Sequence, residues 1–212
     1  NGTGNVSMVK DISNGSGSSY ASYLTAIGNT LYFQASDGTN GTELWKSDGT
    51  ASGTVMVKDI NSGSGSSPQA LTVIGNTLYF TADDGTNGEE LWKSDGTASG
   101  TVLVKDIRPG GPGSNLGSFT AVGNTLYFQA DDGTNGFELW KSDGTANGTV
   151  MVKDIYSGSG SSNPSYLAAF GNTLYFEAGD GTNGNELWKS DGTASGTMMV
   201  KDIRSGGTGS SP

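Results

Sequence analysis

The residues with the most obvious chemistry are clustered oxygens. Asp83-Asp84-Gly85-Thr86-Asn87-Gly88 sets two carboxylates and an amide around glycines, and residues 37–41, 131–136 and 180–184 repeat the pattern. Hard oxygen ligands on a sharply turned backbone suit Ca²⁺, so loops of the Asp83/Asp84 type are candidate calcium sites. They lack the alternating acids and the distal bidentate Glu of a calcium loop. The competing reading, which we prefer, is a hairpin turn in which Asp and Asn bond their own backbone and Gly supplies positive φ. Ser47-Asp48-Gly49-Thr50 also recurs, with its carboxylate at Asp48, Asp95, Asp143 and Asp191. A Ser nucleophile needs a base, and the chain has no His to serve as one. These Asp residues read as turn-formers. The tryptophans Trp45, Trp92, Trp140 and Trp188 could form a sugar platform. A packing role fits better, because each lies mid-strand with Leu on the opposite face. Paired carboxylates could cleave a glycosidic bond, but the acids are duplicated along with the repeat and no copy is singled out as a catalytic centre. We expect no enzyme, no metal and no cofactor.

Bulk properties narrow the classes further. The absence of Cys removes disulfides, thiolate catalysis and Cys-based metal sites. A net charge of −10, from 21 acidic and 11 basic residues, disfavours nucleic acid and anionic membranes as partners. No apolar run approaches the ~18 residues of a membrane helix, so no membrane insertion is expected. Asn1 in place of a starting methionine points to a processed product or an excised segment.

The elements that position these residues come from a repeat. Glu-Leu-Trp-Lys-Ser-Asp-Gly-Thr occurs four times, with tryptophans 47, 48 and 48 residues apart. Val-Lys-Asp-Ile occurs five times, because residues 5–12 carry a worn extra copy. Within a unit, short runs rich in β-branched and aromatic residues alternate with Gly and Asn turns: 71–74, 77–82, 90–93 and 101–107. Such runs make a meander of four strands. Leu78 and Phe80 oppose Tyr79, Leu91 opposes Trp92, and Val102 with Val104 oppose Leu103 with Ile107. Sheets apolar on both faces must be covered on both. Radially packed blades achieve this. The expectation is an all-β, four-bladed β-propeller of meander blades about 48 residues long, a unit length typical of such repeats. The blades fall at about 23–60, 70–107, 118–155 and 166–203 in a single domain, 1–212, with a tail at 204–212. Residues 5–12 form a surplus strand, which completes the last blade, lies beside the ring, or pairs with another chain as a homo-oligomer contact. Closure within one chain is the first expectation. The Asp of Val-Lys-Asp-Ile is expected to bond backbone amides or a nearby Lys such as Lys58.

The Glu-Leu-Trp-x-x-Asp-Gly-Thr core, followed by Gly-Thr and Val-Lys-Asp-Ile, resembles the bacterial ELWxxDGT-repeat proteins over nearly the whole chain. That resemblance implies propeller-like repeats in secreted or surface proteins, hence an extracellular or cell-surface location. It transfers no catalytic motif.

Differences between copies gather at one end of the strands, where the loops after the second and fourth strands lie. They include Tyr20, Tyr23, Gln69, Glu89, Arg108, Phe137, Tyr156, Tyr166 and Asn185. Loops on a rigid frame carry function readily and also tolerate drift. We expect these residues to form a binding face for a protein or glycan. The leading function is a non-enzymatic binding or scaffold module. The alternatives are a building block that assembles through its N-terminal strand into a ring or fibre, and a lectin-like binder with repeated pockets between blades.

Overall fold

The computed structural model describes residues 6–203 and 209–210. Among them the chain is all-β, with sixteen strands and no helix. Each unit is one antiparallel meander, β1(Ser22–Ile27) β2(Thr30–Ser36) β3(Thr42–Ser47) β4(Val55–Lys58) in the first. The second sheet is β5(Gln69–Ile74) to β8(Val102–Lys105), through β6(Thr77–Asp83) and β7(Glu89–Ser94). The third is β9(Gly117–Val122), β10(Thr125–Asp131), β11(Phe137–Ser142) and β12(Val150–Lys153). The fourth is β13(Ser165–Phe170), β14(Thr173–Gly179), β15(Asn185–Ser190) and β16(Met198–Lys201).

Alternation along the strands gives every sheet two apolar faces. The forward face of the first sheet, Tyr32, Leu44 and Val57, meets the backward face of the second, Leu78, Phe80, Ala82 and Trp92. Tyr79, Leu91, Val104 and Ile107 then meet Leu126, Phe128, Ala130 and Trp140. Tyr127, Leu139, Val152 and Ile155 meet Leu174, Phe176, Ala178 and Trp188. The first strands of the sheets line up along the inner edge: β1 touches β5, β5 touches β9, and β9 touches β13. Thr25 Oγ1 donates to the Leu71 carbonyl at 3.3 Å, and Thr120 Oγ1 to that of Leu167 at 3.1 Å.

Three sequence expectations need correction. The stack is open: among the described residues no contact of comparable extent joins β1 to β13. The surplus strand is not a strand. Asn5 lies outside the described residues, and 6–12 pair with no sheet. They lie on the backward face of the first sheet, where Ile12 packs against Phe33, Ala35 and Trp45. Lys10 Nζ reaches the Thr54 carbonyl there at 2.7 Å. Val104 and Ile107, expected on opposite faces, share one. The cause is a bulge. Leu91 and Trp92 pair with Lys105 and Leu103, so Val104 is an extra residue on its strand, and Ile107 lies beyond the strand end. The tail expected at 204–212 is described only at Gly209 and Ser210.

Candidate functional site

The first strands carry a second bulge, at 22–25 in β1 and its equivalents in β5, β9 and β13. It holds Tyr23, Ala70, Ser118 and Tyr166 at φ of 55°, 53°, 58° and 52°. Three residues earlier, Tyr20, Ser67, Asn115 and Asn163 are also left-handed, at 47–49°. Each such residue costs about 1–2 kcal/mol in this conformation, and the stacked frame holds it there. Tyr23 Oη comes within 3.4 Å of Gln69 Oε1, and Tyr20, Tyr23 and Tyr166 are 77%, 48% and 79% exposed. Tyr23, Leu24, Leu71, Thr72 and Phe119 line an open cleft of about 350 Å³ across three neighbouring first strands.

Other varied residues are built into the seams between sheets. Arg108 Nη1 forms an ion pair of 2.6 Å with Asp131 Oδ2, and its chain lies over Gly133. Tyr156 occupies the equivalent position over Gly181 and is partly exposed. Glu89, Phe137 and Asn185 begin third strands, where their carbonyls accept from Ser114, Asn163 and Ser210 amides. Glu89 is half-buried, and burial with the nearby Asp83 charge raises its pKa. Asn185 Nδ2 donates to Glu177 Oε1 at 2.8 Å. The structure thus gathers Tyr23 with Gln69 at the inner edge and separates them from Arg108 and Tyr156.

The loop carboxylates are engaged in their own turns. Asp84 Oδ1 accepts from the Thr86 and Asn87 amides at 2.9 and 2.8 Å, and Oδ2 from Asn87 Nδ2 at 2.8 Å. Burial pushes its pKa up, but these bonds outweigh burial and leave it lowered. At the opposite end Asp95 Oδ1 accepts from the Thr97 hydroxyl at 2.7 Å and its amide at 2.9 Å, and these bonds lower the carboxyl pKa. Ser94 Oγ and Thr101 Oγ1, 2.7 Å apart, close the base of the same turn. The other copies repeat the arrangement around Asp48, Asp143 and Asp191.

The tryptophans are buried on backward faces, with Lys58, Lys105 and Lys153 ammonium groups 5.7–5.8 Å from the ring centres of Trp92, Trp140 and Trp188. Lys58 also donates to the Thr101 carbonyl at 2.8 Å. It makes no ion pair with Asp59, whose Oδ2 accepts from Ser62.

Composition alone did not flag the Glu that opens Glu-Leu-Trp. Glu43, Glu90, Glu138 and Glu186 are fully buried. Glu90 accepts from the Ile107 amide at 3.0 Å, the Arg108 amide at 3.2 Å and Ser114 Oγ at 2.7 Å. Burial raises its pKa against the pull of those bonds. Each Glu ties the linker that leaves its sheet to the start of the next unit. The available signal was an unvarying Glu followed 23 or 24 residues later by Ser: Ser66, Ser114, Ser162 and Ser210.

No protein-family model matches the sequence, and comparison with curated proteins finds no match. Solved structures are similar in fold. A Mycobacterium tuberculosis puromycin-hydrolyzing peptidase aligns with a TM-score of 0.57 at 15% identity, over 88% of this chain and 30% of that one. Prolyl oligopeptidase B from Galerina marginata aligns at 0.50 and 14% identity, over 84% and 25%. The computationally designed Ika8 protein aligns at 0.48 and 19% identity, over 89% and 51%. This chain therefore spans under a third of the two enzymes' length. At these identities the likeness concerns architecture alone.

Proposed function

We propose that the chain is a non-enzymatic binding or scaffold module, built as an arc of propeller-type blades and presenting varied side chains at one end. The observation that carries this reading is the contrast between frame and face. The buried Glu latches, seam tryptophans and Asp-Gly-Thr turns recur unit by unit, while Tyr20, Tyr23, Gln69 and Tyr166 break the repeat and stand exposed at the inner edge. Exposed tyrosines supply contact area with a polar tip, as recognition surfaces require. The strained φ values pre-set their direction, which lowers the ordering cost of binding. A secreted or surface location accords with the resemblance to ELWxxDGT-repeat proteins.

The test is a screen of extracellular proteins and glycans with the chain and with a Tyr20→Ala/Tyr23→Ala/Tyr166→Ala variant. Binding by the parent, lost in the variant at an unchanged melting temperature, is the expected result. Binding that survives the triple change rejects this face. A lectin-like reading is favoured by a separate feature: a cleft of about 390 Å³ beside the Asp-Gly-Thr turns, lined by Tyr32, Lys46, Asp48 and Asp95. Glycan binding with one site per seam, unaffected by the tyrosine variant, would support it instead.

A further inference from the structure

The two free ends of the stack are complementary. At each internal seam the forward sheet sends a Tyr and a Lys to the next sheet's Asp-Gly-Thr turn. Lys46, Lys93 and Lys141 Nζ donate to the carbonyls of Gly96, Gly144 and Gly192 at 2.7–2.8 Å. The hydroxyls of Tyr32, Tyr79 and Tyr127 fill the space over those same glycines. On the forward face of the fourth sheet, Lys189 has no such acceptor among the described residues, and Tyr175 is only half-buried. On the backward face of the first sheet the equivalent glycine, Gly49, has open space where the others meet tyrosine. The apolar part tells the same story. Val200 and Ile203 are 45% and 57% exposed, whereas Val152 and Ile155 are each 6% exposed.

Residues 6–12 extend this match. Lys10 on Thr54 repeats Lys58 on Thr101, and Ile12 on the Phe33 cluster repeats Ile60 on the Phe80 cluster. The segment is thus seated as a fourth strand while lacking a third strand to pair with. Its alignment with Val55–Lys58 sets Ser7 in the place of Val55, whose partner is Lys46. The equivalent of Lys46 in the fourth sheet is Lys189, now paired with Met198.

We propose that the forward face of the fourth sheet docks a second copy of this chain, head to tail, through the backward face of that copy's first sheet. The second copy's residues 6–12 replace Met198–Lys201 beside β15, with Ser7 against Lys189. Tyr175 and Lys189 then engage Gly49 of the second copy, as Tyr32 and Lys46 engage Gly96. A second copy is chosen over closure within one chain because, among the described residues, no extended contact joins the first and fourth sheets. The inference rests on the repeat geometry and is independent of the binding role of the tyrosine face.

Mass in solution across a dilution series, with cysteine pairing, tests it. The parent chain should gain mass with concentration, at least doubling. Phe170→Asp should remain monomeric with an unchanged melting temperature, since Phe170 is 78% exposed in the single chain while its equivalents Ile74 and Val122 pack in filled seams. Ser7→Cys and Lys189→Cys chains, mixed and mildly oxidised, should give a disulfide-linked pair. Lys93→Cys, at a seam already filled, should give none with Ser7→Cys. A parent chain monomeric at all concentrations overturns the proposal. So does a Ser7→Cys/Lys189→Cys chain that links only to itself, which would mean self-closure. An oligomer that survives Phe170→Asp and gives no 7–189 link also overturns it, by placing the contact elsewhere.

Discussion

β12 and β16 have nearly the same sequence, Val-Met-Val-Lys and Met-Met-Val-Lys, and the same pairing to their third strands. Yet Val152 is buried and Val200 is not. The difference is the sheet beyond. β12 is covered by the fourth sheet, and β16 by nothing among the described residues. Local sequence and strand pairing therefore do not decide which residues are core here. The neighbour does, as in other stacked repeats whose stability sums unit and interface terms.

The comparison is broken most forcefully at its apolar centre. Trp92→Ala should cost about 3–5 kcal/mol, the range for a large core truncation. Trp45→Ala, which among the described residues has Ile12 rather than a whole neighbouring sheet over its face, should cost visibly less; chemical denaturation compares the two. Ile155→Asp places an unpaired charge in a closed seam and should destabilise by more than about 3 kcal/mol. Ile203→Asp should stay within about 0.5 kcal/mol. Equal effects would mean that the fourth sheet's forward face is covered in the isolated chain. Glu90→Gln removes a charged acceptor from three donors and should cost about 1–3 kcal/mol, read as earlier thermal unfolding.

The smallest effect is in pH, where the two families of carboxylates have opposite signs. Burial raises the pKa of Glu43, Glu90 and Glu138 above the ordinary 4.5. The folded chain therefore holds protons more tightly there, and stability should rise as pH falls from neutral toward 4.5. The turn carboxylates behave oppositely. Asp37 is held below 3.8, first by the Asn40 amide, and Asp48 first by the Thr50 hydroxyl. Their contribution is present above 3.8 and is lost as pH falls through their lowered values. Unfolding followed against pH should show a maximum in the mildly acid range. A maximum at neutral pH would mean that the buried Glu residues are better compensated than their burial implies.

Much of this was legible in the chain. Four strands per unit followed from Gly and Asn turns between aromatic and β-branched runs, and the opposed faces of Leu78, Phe80 and Tyr79 followed from period-two alternation. The bulges were not legible. Tyr23, Ala70, Ser118 and Tyr166 share one backbone conformation but no side-chain chemistry, so no residue type announced it. The bulge at Val104 also defeated simple alternation beyond it. Glu90 was missed because a carboxylate opening a strand reads as surface, and only its amide donors, 17 and 18 residues downstream, make its burial tolerable. The open ends were invisible because the fourth unit repeats the same apolar pattern with no neighbour to cover it. The varied tyrosines were found as differences between copies, while the placement of Tyr23 beside Gln69 depended on the unforeseen bulges.

Amide hydrogen exchange on dilute protein tests most directly the claim that the neighbouring sheet makes the core. Val150–Lys153 and Met198–Lys201 present matched amides in matched ladders. Slow exchange in the first, near the global unfolding limit, with exchange in the second faster by orders of magnitude is the predicted result. Equal protection of the two strands would contradict it.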